Sequence, residues 1–245
     1  SLSLSLSLSL SLSLWDRKAH YFNTWKDIVI PGMEADERLY GANARRRLVP
    51  GEPGAAPPHR KFLAYFRGTI DHREGNAYSR GLRPRLKKLF ANETDIIYGT
   101  KQKDCDRSCY IEEMTQSVFC LNPLGWTPWT LRFYQAIMTR CIPVIIADDI
   151  EFPYESEIDY AEFTLKLREK EVDDIVDIMR LMPEEERERR RRVMDRLWMK
   201  YTYQRPPARG DAFYSTMAEL ARKHRRFKNS GLHSWVKQDT FPCLK

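Results

Sequence analysis

The chain has 245 residues, 42% of them hydrophobic and 12% aromatic, and a net charge of +7 from 41 Lys and Arg against 34 Asp and Glu. That length and apolar content suit a globular protein with a sizeable buried core and exclude a disordered chain. The mild basic excess suits an anionic ligand without choosing between a nucleotide diphosphate, an acidic polymer and a nucleic acid, and no apolar run reaches the roughly 18–20 residues that span a bilayer.

Residues 1–14 are a strict Ser-Leu alternation. The alternation fits a half-polar strand, and it lacks the basic start and continuous apolar core of a signal peptide. A CT dinucleotide repeat encodes Ser-Leu in any frame, so the stretch reads as a translated microsatellite and is set aside from the fold. On that reading the true N-terminus and any membrane anchor lie upstream. Residues 15–32 end in Asp27-Ile28-Val29-Ile30-Pro31-Gly32, a predicted strand closed by a Pro-Gly turn. Residues 34–59 are polar, with four Pro and three consecutive Arg, and read as a loop or linker.

Order resumes at Arg60. Residues 62–66 form a continuous apolar run ending on Arg67-Gly68, which predicts a strand buried on both faces. Residues 81–91 predict a helix, with Leu82, Leu86, Leu89 and Phe90 on one stripe and Pro84 near its first turn. The spacing then predicts a strand over 95–98, a helix over 110–116 and a strand over 118–121 closed by Pro123 and Gly125. A helix over 128–140, a strand over 142–147 with Pro143 at its start, and a further strand over 163–167 complete this stretch. Three helices follow. The first carries Val172, Ile175, Val176, Met179 and Met182 at helical spacing, Pro183 opens the second, and Asp211 caps the third. The basic run over 187–192 reads as a solvated helix face. Strands alternating with helices of about ten residues indicate an α/β, Rossmann-like parallel sheet with helices on both faces. Residues 60–230 are assigned to it, and 231–245 to a tail.

Ligands on such sheets sit at the carboxyl ends of the strands. Three loops qualify: Arg67-Gly68, the stretch from Asn122 to Arg132, and the one from Ala147 to Pro153. In the second, Gly125 allows close backbone approach. Thr127 before Pro128 reads as an N-cap with Pro at the first helical position. A helix N-terminus there favours phosphate, and Arg132 is placed to clamp a diphosphate, or equally to pair with an acid on the surface. Asp148 and Asp149 end an apolar strand, either to accept hydrogen bonds from a sugar or ribose hydroxyl or to cap a turn. His72 reads as a solvated loop residue, and the five His show no metal-ligand spacing. The five Cys form no CxxC pair, so zinc is not expected, and a local Cys105–Cys109 disulfide is open in an oxidising compartment. Asn92-Glu93-Thr94 is a glycosylation sequon. The aromatic and basic residues do not recur as a nucleic-acid motif.

Three stretches resemble exostosin-like glycosyltransferases (glycosyltransferase family 47). They are Phe22-Asn23-Thr24-Trp25-Lys26 running into Asp27–Gly32, then Tyr65-Phe66-Arg67-Gly68, and above all residues 118–132 followed by 141–150 and Phe152-Pro153. Within the family the wording is most similar to plant and algal xylan xylosyltransferases. The resemblance implies the nucleotide-sugar-binding half of a GT-B fold, with residues 15–59 the remnant of an acceptor domain and a linker. It further implies an inverting, metal-independent transfer of a sugar, xylose among the candidates, from a UDP-sugar to a polysaccharide or glycan acceptor. No cofactor besides the donor is implied, and the location implied is the lumenal side of the Golgi membrane. By position, Arg67 and Arg132 would contact the diphosphate, Gly125 and Thr130 would shape the loop, and Asp148 and Asp149 would line the donor end. Gln135 stands where the family usually has Glu for the ribose hydroxyls. That change, with most of the acceptor domain absent and the catalytic base unassigned, leaves a second expectation: a donor-binding or scaffold subunit, with a homologous glycosyltransferase as its partner.

Overall fold

The computed structural model describes residues 27–34, 60–72, 75–100 and 107–229. Their centre is a five-stranded sheet built from β1 (Phe62–Arg67), β2 (Ile96–Gly99), β3 (Ser117–Pro123), β4 (Ile142–Ile146) and β5 (Leu165–Lys166). Every pairing is parallel and the order is β2-β1-β3-β4-β5. All residues of β3 and β4 are buried, as expected of parallel strands covered on both sides. The helices are α1 (Leu82–Leu89), α2 (Arg107–Thr115), α3 (Leu131–Met138), α4 (Ile175–Leu181), α5 (Glu184–Leu197) and α6 (Ala212–Asn229). Tyr110 and Met114 of α2 and Ala136 of α3 pack with Tyr65 and Cys120 on one face. On the other, Phe90 at the end of α1 meets Tyr98, which stacks on Phe66. After β1 the chain adds β2 on one side, then crosses to place β3 on the other. That reversal splits the loops leaving β1 and β3 and opens a crevice at their carboxyl ends, where doubly wound sheets bind ligands.

Several expectations are corrected. Asp27–Gly32 is irregular rather than a strand, although Asp27, Ile28 and Val29 are buried. Side chains take its carbonyls: the Tyr203 hydroxyl donates to Pro31 at 3.1 Å, and the Lys223 ammonium donates to Asp27. A Cβ on Gly32 would stand 2.6 Å from the Trp129 ring, so only glycine lets the segment lie so close to α3. The strand expected over 163–167 shrinks to Leu165–Lys166 because a 3₁₀ turn, Tyr160–Glu162, captures the amides of Phe163 and Thr164. Residues 1–14, 35–59, 231–245 and Cys105 lie outside the described residues.

The basic run is not a solvated face. The Arg187 guanidinium lies over the Phe119 ring and donates to the Met179 carbonyl. Arg190 donates to the carbonyls of Ala161 and Thr164. Arg191 is buried against Glu184 and Glu188, and Glu188 in turn holds the buried Arg140 at 2.8 Å. Long Arg stems pack well on apolar surface, and the interleaved acids absorb their charge. Only Arg189 and Arg192 of the run are exposed.

Cys120 in β3 and Cys141, just before β4, form a buried disulfide with Cα atoms 5.6 Å apart and a sequence separation of 21. Cys109 is also disulfide-bonded. Closing a loop of that length stabilises by about 3 kcal/mol in the chain-entropy account. Reduction of the 120–141 bond in mild denaturant is therefore expected to lower the urea midpoint clearly, while leaving the cooperative transition intact. An unchanged midpoint with both thiols free by mass spectrometry would contradict the pairing.

Candidate active site

The crevice between β1 and β3 is floored by the first turn of α3. That helix begins at Leu131, three residues later than the sequence suggests, and its N-cap is Thr130 rather than Thr127. The Thr127 carbonyl is taken by the Gly125 amide at 3.2 Å, which folds residues 125–127 into a tight turn. Trp129 is drawn against Tyr134 and Gly32, so the chain becomes helical only after it. Thr130 is extended there, and its hydroxyl accepts from the Arg132 amide at 3.3 Å.

Arg132 is 8% exposed. Its Nη2 donates to the Arg67 carbonyl at 2.5 Å, and its guanidinium lies 4.5 Å over the Phe66 ring. Its Nε and Nη1 are buried with no hydrogen-bond partner, and no acid pairs with it among the described residues. Asn122, at the end of β3, donates to the Cys120 carbonyl, but its Oδ1 is buried and unpartnered. The Tyr65 hydroxyl is in the same condition. Burial pushes the Tyr65 phenol well above its ordinary pKa, Tyr110 and Glu113 add to this, and Arg132 and Arg67 oppose it. Strand alternation puts Tyr65 and Arg67 of β1, and Cys120 and Asn122 of β3, on one face. Tyr65 Oη, Asn122 Oδ1 and Arg132 Nε and Nη1 are four of the seven buried side-chain atoms without a partner among the described residues, the others being Nε of Arg187, Arg190 and Arg191; native interiors satisfy more than about 90% of such groups.

The neighbouring arginines are used differently. Arg67 is gripped by Glu113 through two bonds, at 3.0 and 2.8 Å, which raises its pKa. Its guanidinium is therefore occupied, and its backbone carbonyl is what holds Arg132. Arg83 of α1 was not singled out by the sequence. It donates to the carbonyls of Leu124, Thr69 and Pro123 and to the Tyr78 hydroxyl, pinning the loops after β1 and β3 together. Its guanidinium also lies over Phe66 and Tyr78. Burial holds its pKa below the ordinary value; Tyr78 opposes this and the Arg132 charge adds to it. The available signal was position: Arg83 follows Leu82 and precedes Leu86 on a stripe that had to be buried. A Cβ on Gly125 would stand 3.0 Å from Arg83 Nη2, so a side chain there would press on the guanidinium that reaches those carbonyls. Arg83 and Arg132 carry two positive charges with no carboxylate against either among the described residues, a fit for an anion of two or more charges.

The remaining expected residues lie around this centre. Gln135 is buried one turn after Arg132; its Oε1 accepts from the Tyr110 hydroxyl at 3.0 Å and its Nε2 donates to Glu34 at 2.6 Å. A carboxylate at position 135 would face Glu34 at hydrogen-bond distance, so the amide is what admits that segment. Asp148 and Glu169 exchange two bonds, each side chain accepting from the other's backbone amide. Asp149 and Glu169 both pair with Arg80, from the loop after β1. The two aspartates therefore tie the β4 and β5 ends to that loop. His72 is not simply solvated: it stacks on Tyr78 at 5.1 Å and meets Trp126 edge-on at 5.2 Å. Asn92 is exposed in the turn between α1 and β2. A concavity of about 490 Å³ lined by residues 155–161 carries Glu155, Glu157 and Asp159, whose charges disfavour a diphosphate. Among the described residues no cluster of three or more His, Cys, Asp or Glu could hold a metal ion, and no helix is long and apolar enough to cross a membrane.

The sequence pattern of the Exostosin GT47 domain matches residues 18–182. The chain is 36% identical over 185 residues, 73% of its length, to the probable glucuronosyltransferase GUT1 of Oryza sativa subsp. japonica, of which it covers 42%. It is 35% identical over 170 residues, 67% of its length, to the probable beta-1,4-xylosyltransferase IRX10 of Arabidopsis thaliana, covering 40% of that protein. It is 34% identical over 202 residues, 80% of its length, to the probable glucuronosyltransferase 47 A of Physcomitrium patens, covering 42% of it. The chain thus spans about two fifths of the length of these relatives.

Proposed function

The chain belongs to the exostosin GT47 family, and from that premise we propose that it binds the diphosphate of a UDP-sugar in the β1/β3 crevice, for transfer of the sugar to a glycan acceptor. The observation that carries this is Arg132, buried, beside a second uncompensated guanidinium, with Nε and Nη1 unpartnered. Nε and Nη1 leave the guanidinium on different edges, and each is a charged donor from which a phosphate oxygen can accept. Asn122 Oδ1, buried and unpartnered at the end of β3, is an acceptor suited to a ligand hydroxyl.

In the transfer, an acceptor hydroxyl attacks the anomeric carbon as its bond to the diphosphate oxygen breaks. Charge develops on the leaving UDP, and Arg132 and Arg83 stand fixed in advance to meet it. The hydroxyl proton passes to a base that this chain does not identify, and attack from the face opposite the leaving group inverts the anomeric centre. A lumenal Golgi setting is supported by the Cys120–Cys141 disulfide, which persists in oxidising compartments, and by the exposed Asn92 sequon. The homologues' names make xylose and glucuronic acid the first donors to test.

Isothermal titration with UDP, UMP and uridine tests the diphosphate claim. UDP is expected to bind at least tenfold tighter than UMP; equal affinities would end it. The Gln135–Glu34 bond favours a second role, donor binding without transfer, since no free carboxylate stands at position 135. Release of free xylose or its transfer to xylohexaose from UDP-xylose separates the two.

A further inference from the structure

The loop between β3 and α3 carries an aromatic group that diphosphate binding does not use. Trp126 is 52% exposed. It meets Tyr78 at 5.3 Å with planes 72° apart and His72 at 5.2 Å with planes 85° apart, while His72 and Tyr78 stack on each other. Two rings thus brace the indole upright without covering it. The brace is joined to the anion site: Tyr78 accepts from Arg83, and Arg83 and Arg132 share the Phe66 ring. The other large apolar residues exposed among those described, Met33, Leu181, Phe213, Tyr214 and Met217, lie outside this loop.

We propose that Trp126, braced by His72 and Tyr78, is a stacking platform for a pyranose ring. A pyranose face presents several C–H bonds with slight positive charge, which suit the negative face of an indole. A nucleobase fits less well, because a base is read along its edge by free donors and acceptors. Here the backbone of the residues leading into Trp126 is already consumed. The Leu124 amide donates to Ile146, the Gly125 amide donates to Thr127, and the Gly125 carbonyl accepts from Ser79. The Pro123 and Leu124 carbonyls accept from Arg83. The loop therefore offers a flat aromatic face and little edge recognition. The choice of a glycan as the source of the ring rests on the proposed function, and a pyranose of the donor is the other source of the same chemistry.

The test is isothermal titration of wild type, Trp126→Ala and Trp126→Phe with xylohexaose, UDP and UDP-xylose. Trp126 makes only ring contacts and is half exposed, so both variants are expected to keep the wild-type thermal midpoint. Wild type should bind xylohexaose, Trp126→Ala should bind it at least tenfold more weakly, and Trp126→Phe should lose less. UDP affinity should be equal in all three. A loss confined to UDP-xylose supports the platform and assigns the ring to the donor sugar. An equal loss for UDP overturns the proposal in favour of the base, and so does xylohexaose and UDP-xylose binding that Trp126→Ala leaves unchanged. If UDP fails to bind wild type, the donor site falls, while the xylohexaose arm still decides the role of Trp126.

Discussion

Arg132→Met is expected to weaken UDP binding by a hundredfold or more while raising thermal stability. On the proposed function the loss follows from removing the guanidinium whose two unpartnered N–H groups would meet the phosphates; charged hydrogen bonds of this kind cost about 2–5 kcal/mol when one partner is deleted. The gain follows from the same atoms in the empty protein. Each buried donor without a partner costs roughly 1–3 kcal/mol, and Arg132 has two. Methionine keeps the length and the contact with Phe66, and its sulfur tolerates an aromatic neighbour. Against this stands the lost bond to the Arg67 carbonyl, worth about 1 kcal/mol. A net rise of about 1 kcal/mol would show as a few degrees in the melting midpoint. Scanning calorimetry and titration with UDP on one preparation read both. A variant that melts several degrees lower and still binds UDP would show Arg132 to be a structural residue.

Arg83→Met is expected to give the opposite balance. Arg83 lies against the same Phe66 ring, but three backbone carbonyls and a phenol accept its donors. Its removal would orphan the carbonyls of the buried Leu124 and Pro123, free that of the exposed Thr69, and release the loops they belong to. A loss of about 3–5 kcal/mol is expected, in the range for breaking a buried polar network. UDP affinity should fall as well, because the loop from Pro123 to Thr127 would no longer be held beside Arg132. Urea unfolding monitored by tryptophan fluorescence measures the first effect. If Arg83→Met unfolds at the wild-type midpoint, those four bonds contribute nothing net. Two arginines on one ring thus divide the work: one assembles the crevice and the other leaves its donors for a ligand.

Most of the sheet was legible because parallel strands are buried on both faces and spell out apolar runs. Phe62–Phe66 and Ile142–Ile146 needed no tertiary information. What the sequence obscured were features decided by distant partners. Thr127-Pro128 has the local form of a helix start, but the turn from Gly125 and the docking of Trp129 delay the helix to Leu131. The arginines of α5 look solvated in one dimension, yet the acids between them let them lie on the core. Cys120 and Cys141 carry no spacing motif; only the parallel register of β3 and β4 brings them together. Arg132 was legible through the resemblance to glycosyltransferases, and its unpartnered donors only in three dimensions. Asp148 and Asp149 show how strand-end acids can serve their own loop, through the Glu169 amide and the Arg80 guanidinium.

The disulfide between Cys120 and Cys141 has one more consequence. It closes the intervening residues into a covalent ring, and Asn122, Gly125, Trp126, Thr130 and Arg132 all hang within it. Trp126 lies at the exposed tip of that ring. A protease that cuts one peptide bond there would make a nick but not a break, because both new ends remain tethered to adjacent strands. The loop between β3 and α3 is thus a part of this fold that can be severed without coming apart, and the two fragments would separate on a gel only after reduction.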